Sequence, residues 1–169
     1  VHNSNAIGID VGIKTFYSDS NENVVANPKY LEKSLKKLAR EQRRLSRKKK
    51  GSNNRNKQRK KVALIYEKIT NQRDDFLQKQ STKLIRENQT ICIEDLKIAN
   101  MLKNNKLAKH ISSVSWRKFF TMLEYKAKWY GNTIVKVPTI YPSSQTCSIC
   151  GYKNKLVKDL SVRKWECPV

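Results

Sequence analysis

The stretch from Arg43 to Lys61 constrains the fold of this chain more than any other, because its charges have one sign. It contains no acidic residue, and uncompensated charges are too costly to bury in an apolar core. The stretch must therefore lie at the surface, and the core must come from the sequence on either side. Its cations, called the basic run below, are Arg43, Arg44, Arg47, Lys48, Lys49, Lys50, Arg55, Lys57, Arg59, Lys60 and Lys61. Such a run indicates contact with phosphates, and a merely solubilising surface is the alternative.

The chain as a whole has the same excess of positive charge. Its 169 residues include 36 Lys and Arg but 14 Asp and Glu, which gives a formal net charge of +22. This charge predicts nucleic acid as the first partner, because Lys and Arg release counterions from phosphates, and an anionic membrane surface is the alternative. No apolar run approaches the roughly 18 residues that span a bilayer, and no signal peptide is predicted. We expect a cytoplasmic, nucleoid-associated protein without a membrane partner.

The hydrophobic pattern predicts an α/β fold with a mixed sheet. Three short strands joined by polar turns, and therefore antiparallel, are expected at Asn5–Val11, Lys14–Ser18 and Asn23–Ala26. Two further strands are expected at Thr90–Leu96 and Thr133–Val137, separated by a helix that begins near Ser113 or Ser115 and ends at Gly131. Strands separated by helices favour parallel pairing. Three meandering strands followed by two crossover strands form the RNase H-like pattern.

Two long helices are predicted between the third and fourth strands. Asn27 and Pro28 form a helix start, and a break at Gly51–Asn54 separates the first helix from the second. Their apolar faces are Leu31, Leu35, Leu38 and Leu45 in the first helix and Val62, Ile65, Ile69, Phe76 and Leu84 in the second. We expect an antiparallel hairpin, inserted at residues 28–88, with the basic run at its tip. The polar stretch Asn100–His110 is expected to be a connection.

Three cysteines near the end of the chain have the spacing of a zinc site. Cys147 and Cys150 form a C-x2-C pair, and sixteen residues separate Cys150 from Cys167. A zinc ribbon has such a pair, then about 15 to 20 residues, then a second pair. The spacing predicts a structural zinc ion, with ribbon strands at 155–157 and 162–165. Three unrelated cysteines are the alternative.

These patterns divide the chain into two predicted domains. Residues 1–140 form the RNase H-like domain with its inserted hairpin, and residues 141–169 form an incomplete zinc ribbon. Cys92 lies outside the ribbon pattern and is predicted to be a small buried hydrophobe. In a reducing compartment, the other cysteines favour a metal ion over disulfides.

Two carboxylates lie in strands that are otherwise apolar. Asp10 ends the first strand and shares a face with the small residues Ala6 and Gly8, and Glu94 lies in the fourth strand. A carboxylate at such a position is costly unless it is paired or holds a metal ion. The two strands are neighbours in the RNase H-like order, so Asp10 and Glu94 are candidate ligands of Mg²⁺ or Mn²⁺ in two-metal phosphodiester hydrolysis. Asp10 as a simple turn cap, and Asp95 as the nearest rival of Glu94, are the alternatives.

Four stretches of the sequence resemble motifs of the TnpB (OrfB) family of insertion-sequence proteins. They are Gly8–Lys14, Ile93–Leu96, Ser144–Gly151 and Trp165–Pro168. The resemblance covers nearly the whole chain and implies a RuvC-like nuclease domain with a zinc ribbon, related to the type V CRISPR effectors. It also implies DNA cleavage guided by RNA, with guide RNA and target DNA as partners. By their place in the motifs, Asp10 and Glu94 correspond to the first two catalytic carboxylates, and Cys147, Cys150 and Cys167 to three of the four zinc ligands.

The resemblance also implies that members of the family have segments that lie outside this sequence. The family has a further N-terminal segment, and its fourth zinc cysteine and third carboxylate follow beyond Val169, so the chain resembles a C-terminally truncated member. We expect the chain by itself to bind nucleic acid and to cut DNA poorly, and whether it is an enzyme stays open. A non-catalytic nucleic-acid-binding relic or regulator is the alternative. An actin-like ATPase would need a second glycine-rich loop, and the five glycines do not form one.

Overall fold

A five-stranded sheet organises the protein. The computed structural model describes residues 5–104, 108–138, 145–147, 149–158 and 165–169. The strands are β1 (Ala6–Val11), β2 (Thr15–Asp19), β3 (Val24–Ala26), β4 (Thr90–Glu94) and β5 (Thr133–Val137). The helices are α1 (Tyr30–Ser46), α2 (Asn53–Glu87), α3 (Ile98–Met101), α4 (Ala108–Val114) and α5 (Trp116–Tyr130). None of the helices in this described part is long and apolar enough to cross a membrane.

The strand order in the sheet is β3-β2-β1-β4-β5. β1 and β2 are antiparallel, as are β2 and β3, whereas β4 is parallel to β1 and β5 is parallel to β4. Both parallel connections pass through helices, which a crossover between parallel strands requires. The predicted mixed α/β fold, with an antiparallel meander followed by two crossover strands, is therefore confirmed.

The two faces of the sheet have opposite characters. On one face, buried isoleucines pack under α2 and α5; they are Ile7 and Ile9 of β1 and Ile91 and Ile93 of β4, and all are 5% exposed or less. Because side chains alternate along a strand, Asp10 and Glu94 lie on the other face. The helices thus leave the carboxylate face accessible within the described part of the chain.

Aromatic rings and one buried amine fill the space between the sheet and its helices. The Phe16 ring meets the rings of Phe76 and Phe119 edge-on, with both centroid distances at 4.9 Å. Lys126 of α5 is 6% exposed, and its Nζ donates to the Gln78 carbonyl and to two hydroxyls of α2. These contacts fix α5 against the C-terminal half of α2.

The helices α1 and α2 pack against each other as the predicted antiparallel pair. Their turn contains Gly51, whose φ of 82° favours glycine, and Ser52 caps α2 by accepting from the Arg55 amide at 3.2 Å. Arg55 also donates to the Leu45 and Lys48 carbonyls, at 2.9 and 3.2 Å. These bonds satisfy carbonyls at the end of α1 that the helix itself leaves without partners.

A buried carboxylate joins the two helices of the hairpin. Glu41 is 6% exposed and accepts from Gln58 Nε2 at 2.8 Å and from Arg44 at 2.9 Å. The hydrogen bond from Gln58, followed by the charge of Arg44, holds the pKa of Glu41 below its ordinary value. The hairpin therefore rests partly on polar contacts that its leucine pattern does not predict.

Three details of the sequence prediction are wrong. The first helix begins at Tyr30, because the Asn27 side chain donates to the Ile13 carbonyl and accepts from the Lys29 amide instead of capping a helix at Pro28. The stretch expected to be a connection contains the end of α3 and the start of α4, which bury Ile111 against the core. The first expected ribbon strand lies in a 3-10 helix, Lys155–Lys158. Most of the second, 162–165, lies outside the described residues.

Candidate metal sites and nucleic-acid interface

The carboxyl ends of β1 and β4 bring the two predicted carboxylates together. The strands are parallel, with Ile9 opposite Ile93. Continuing this register by one residue places Asp10 beside Glu94, on the face opposite the core. The two side chains lie beside each other because both strands end at the same edge of the sheet, and because the side chains of the two strands alternate between the faces in phase. The structure therefore gives these two residues the adjacency that the strand order predicts.

The electrostatics of the pair suit a cation. Desolvation raises the pKa of Asp10 above its ordinary value. The pKa of Glu94 is also raised, first by desolvation and then by the charge of Asp10. No salt bridge within the described ranges involves either carboxylate. A divalent cation would relieve the repulsion, and carboxylate oxygens are ligands that Mg²⁺ and Mn²⁺ accept, so the residues present fit the predicted ion.

Cys92 and Asp95 are the neighbours of Glu94 in sequence that carry a thiol and a second carboxylate. Cys92 is half-buried and lies on the carboxylate face, so it is less buried than the small buried hydrophobe that the sequence predicted. Asp95 follows the last residue of β4, and its backbone N–H donates to the Val137 carbonyl at 2.9 Å. It lines the same cleft as Glu94. Asp95 therefore extends the end of the strand, while Glu94 holds the position beside Asp10.

An open cleft of about 630 Å³ adjoins Glu94. One wall is formed by the end of β4 with α3, and the other by α5 and β5. Lys136 and Glu124 form an ion pair in this wall at 2.7 Å, whereas no salt bridge in the part described holds Arg117 or Lys97. Arg117 and Lys97 share the cleft with Glu94 and Asp95, and cations there can supply the counter-charges that the phosphates of a nucleic-acid strand need. Sequence reasoning missed these residues, because they come from separate elements without a common spacing.

The three ribbon cysteines come together as their spacing predicts. The sulfurs of Cys147, Cys150 and Cys167 all lie within 4.8 Å of one another, with 3.4 Å between Cys150 and Cys167. In a tetrahedral site with Zn–S bonds of about 2.3 Å, the sulfurs lie about 3.8 Å apart. Backbone amides of Cys150 and Ile149 lower the pKa of Cys147 to about 7, which favours the thiolate that a metal ion needs. The donor set fits zinc.

The basic run lies where α1 and α2 meet. Its side chains are exposed, except that of Arg55, which is half-buried. Arg44 pairs with Glu41 at 2.9 Å, and Arg43 donates to the Ala39 carbonyl at 3.3 Å. Among the described residues, no salt bridge involves the remaining cations of the run. Arg44 and Arg55 thus support the hairpin, while the others form an uncompensated positive surface that suits phosphates.

Curated proteins of similar sequence are longer than this chain. A protein of Streptomyces pristinaespiralis named "Putative RNA-guided DNA endonuclease" is 48% identical over 163 residues, which are 96% of this chain and 40% of the relative. The similarly named InsQ of Escherichia coli (strain K12) is 35% identical over 178 residues, covering 96% of this chain and 44% of InsQ. The chain therefore spans less than half the length of these relatives.

A solved structure shares the fold. A chain in a cryo-EM structure of the Cas12f1-sgRNA-target DNA complex superposes with a TM-score of 0.58 at 20% identity. The match covers 91% of this chain and 41% of the other. At this level of identity the likeness is one of architecture, and it agrees with the mixed sheet and its helices.

Two family models together match most of the sequence. Residues 116–169 match the Cas12f1-like TNB domain, which contains the cysteine cluster. Residues 1–105 match the OrfB_IS605 model, described as "Probable transposase", and this region includes both carboxylates and the basic run. Because that match covers more than half of the sequence and agrees with the motif resemblance, the chain belongs to the OrfB_IS605 (TnpB) transposase family.

Proposed function

We propose that this chain is the nuclease part of a transposon-associated, RNA-guided DNA endonuclease, with a RuvC-type domain of RNase H-like fold. The observation that carries the proposal is the adjacency of Asp10 and Glu94 at the carboxyl ends of two parallel strands. Adjacent carboxylates, with Arg117 and Lys97 in the cleft next to Glu94, supply part of what two-metal hydrolysis of a phosphodiester needs. The names of the relatives support DNA as the substrate and RNA as the guide.

The chain's own residues hold the substrate and the ions in this scheme. Asp10 and Glu94 would hold Mg²⁺ or Mn²⁺ through their carboxylate oxygens. When bound, such ions activate a water for attack and stabilise the leaving oxygen of the phosphodiester. Arg117 and Lys97 bind phosphates of the strand in the cleft and orient it toward the carboxylates.

The cysteine cluster has a structural role in the proposal. Cys147, Cys150 and Cys167 hold zinc in a ribbon that covers residues 141–169, next to a nuclease domain of residues 1–140. A zinc ion supplies cohesion where few apolar residues are available, because it links segments that are distant in the chain.

The helical hairpin, inserted at residues 28–88, contacts nucleic acid through the basic run. Its exposed cations bind the phosphates of guide RNA, of target DNA or of their hybrid. These contacts position the nucleic acid without reading its sequence, because phosphates are the same at every base. A protein acting on these partners is expected in the cytoplasm, close to the nucleoid.

Cleavage by a chimera tests the proposal. This chain replaces the matching 163 residues of the Streptomyces pristinaespiralis relative, and cutting of target DNA is measured with guide RNA and magnesium. Asp10→Ala or Glu94→Ala should lower the cleavage rate by about 1,000-fold or more, because loss of a bound ion costs several kcal/mol of transition-state stabilisation. Binding of the target should change little, since the basic run is intact.

Asp95→Asn is the matched control, because it changes the neighbouring carboxylate without touching the pair. It should leave the cleavage rate close to that of the parent chimera. Magnesium-dependent cutting that survives Glu94→Ala would contradict the assignment of Glu94. A chimera that binds target DNA firmly and never cuts it would favour the non-catalytic nucleic-acid-binding alternative.

A further inference from the structure

An exposed aromatic pair lies on α5, away from the carboxylates. Trp129 is 75% exposed, and its ring centroid lies 4.7 Å from that of Tyr125. The Tyr125 hydroxyl is within hydrogen-bond distance of both polar atoms of the Gln78 amide, at 3.2 Å from Nε2 and 3.3 Å from Oε1. The pair is thus anchored to α2 while the indole faces solvent. An aromatic side chain exposed to this extent contributes little to folding.

Cations of α2 border this pair. An open hollow of about 470 Å³ includes Gln78, Lys79, Lys83, Arg86 and the carboxylate of Glu87. Lys79 is paired with Asp75 at 2.7 Å. No salt bridge within the described part holds Lys83 or Arg86. Gln78 belongs to the hollow and also contacts Tyr125, so this residue lies between the cations of α2 and the rings of α5.

The two helices that carry this surface are fixed relative to each other. Lys126 Nζ lies 3.1 Å from the Gln78 carbonyl, 2.8 Å from Ser81 Oγ and 2.7 Å from Thr82 Oγ1. Three donors of one ammonium group thus bridge α5 to two turns of α2. A ligand that meets both helices need not order them first, which lowers the free-energy cost of binding.

We propose that this aromatic-basic surface, formed by Tyr125, Trp129, Lys83 and Arg86, binds an unpaired segment of RNA. A base stacks on the Trp129 indole, and the flanking phosphates contact Lys83 and Arg86. The base must be unpaired, because a base inside a helix has both faces covered by its neighbours. An apolar protein partner does not suit this surface, because burying Lys83 and Arg86 against apolar atoms would be costly.

The position of the surface separates it from the candidate catalytic pair. Trp129 lies at the end of α5 beside Gly131, whose carbonyl accepts from Gln89 just before β4. The surface is therefore at the amino ends of β4 and β5, whereas the carboxylates are at the carboxyl ends of β1 and β4. A strand held here is not the strand presented to Asp10 and Glu94. This choice of RNA rests on the proposed function, while the stacking contact does not.

The test measures binding of a short oligouridine by this chain, with an abasic oligomer of the same length as a second ligand. Trp129→Ala should reduce the affinity advantage of oligouridine over the abasic oligomer by about 5- to 150-fold, which is the effect of losing one stacked base. Binding of the abasic oligomer should stay the same, because its phosphates are intact. The salt dependence should also keep its slope, since no phosphate contact is removed.

Two variants serve as controls. Trp129→Phe keeps a ring that can stack and should retain most of the affinity. Tyr130→Ala removes an aromatic side chain that is 58% exposed and lies next in sequence but about 100° around the helix. It should leave oligouridine binding unchanged. Circular dichroism of each variant establishes that α5 is still folded.

Several outcomes would overturn the proposal. The first is that Trp129→Ala binds oligouridine as tightly as the parent does. The second is that Trp129→Ala loses as much affinity for the abasic oligomer as for oligouridine. The third is that the parent is an oligomer and Trp129→Ala is a monomer. A larger loss for oligodeoxyuridine, which has the same base without the 2′-hydroxyl, than for oligouridine would overturn the choice of RNA. No arm depends on cleavage. If the catalytic proposal fails, cleavage is lost and these binding results do not change, so the two failures can be distinguished.

Discussion

The Asp10–Glu94 pair and the cysteine cluster are both candidate metal sites, yet the chain positions them differently. The carboxylates end two strands whose neighbouring residues Ile9 and Ile93 are 5% and 2% exposed. The cysteine cluster has a C-x2-C turn, an isolated bridge between Thr146 and Lys153, and exposed apolar side chains such as Ile149 at 95%. One site is held by a core, and the other has little core around it.

This difference indicates opposite relations between metal binding and folding. Around the carboxylates, the register of the sheet fixes the two side chains without any ion, at the cost of raised pKa values for Asp10 and Glu94. Around the cysteines, a bound ion would itself provide the cohesion that apolar burial provides elsewhere. Removing the metal should therefore unfold one site and relax the other.

Removing zinc should produce the largest effect. Chelation should disorder the cysteine segment, since structural zinc contributes about 10 to 16 kcal/mol in small four-ligand sites, and three thiolates supply somewhat less. We expect about one zinc per chain before chelation by elemental analysis. Afterwards, Cys147, Cys150 and Cys167 should become alkylated rapidly, while amide hydrogens of the sheet stay protected.

Cys92 is the internal control for this measurement. It is half-buried in β4, so its alkylation rate should not depend on zinc. If the zinc-free protein still protects its ribbon thiols from alkylation, zinc is not what holds the cysteine cluster together. Loss of amide protection in β4 on chelation would show that the two regions fold as one unit.

Weakening the core under the carboxylates should have an intermediate effect. Ile93→Ala removes buried methyl groups and should lower the free energy of unfolding by about 2 to 5 kcal/mol in urea titrations. Zinc content should not change while the chain is folded. Val135→Ala on the neighbouring strand, where Val135 is 41% exposed, should cost less than about 0.5 kcal/mol. Similar costs for the two variants would contradict the assignment of faces.

Relieving the repulsion between the carboxylates should have the smallest effect, and a stabilising one. The folded protein raises the pKa of Asp10 and Glu94, so it favours their protonated forms and loses stability as pH rises through that range. Asp10→Asn removes one of the two charges. It should raise the free energy of unfolding at pH 7 by less than about 1 kcal/mol, because solvent screens the pair.

The sign of this effect is checked by its pH dependence. The gain from Asp10→Asn should vanish near pH 3, where both carboxyls are protonated in either state, and Asp95→Asn should show no such gain. Urea titrations at the two pH values measure the difference. Destabilisation at pH 7 would show that Asp10 holds a structural contact, as the turn-cap alternative requires.

The sequence predicted those parts of the sites that depend on local periodicity. The spacing of Cys147 and Cys150 is a property of one turn, and the alternation in β1 and β4 fixes the faces of Asp10 and Glu94. The cleft could not be predicted, because Arg117 and Lys97 meet through the packing of α5 against the sheet. Likewise, the start of α1 was misplaced because Asn27 bonds to Ile13, fourteen residues away. Long-range partners decide such details, and the pattern of one segment does not contain them.

The length of α2 has a mechanical consequence. Its 35 residues form one rod of roughly 52 Å, which carries part of the basic run at one end and meets Lys126 near the other. A rod clamped at one end is a cantilever, in which a small angular fluctuation at the clamp becomes a large displacement at the tip. The cations can therefore follow the contour of a flexible polyanion while the sheet edge that carries Asp10 and Glu94 stays still.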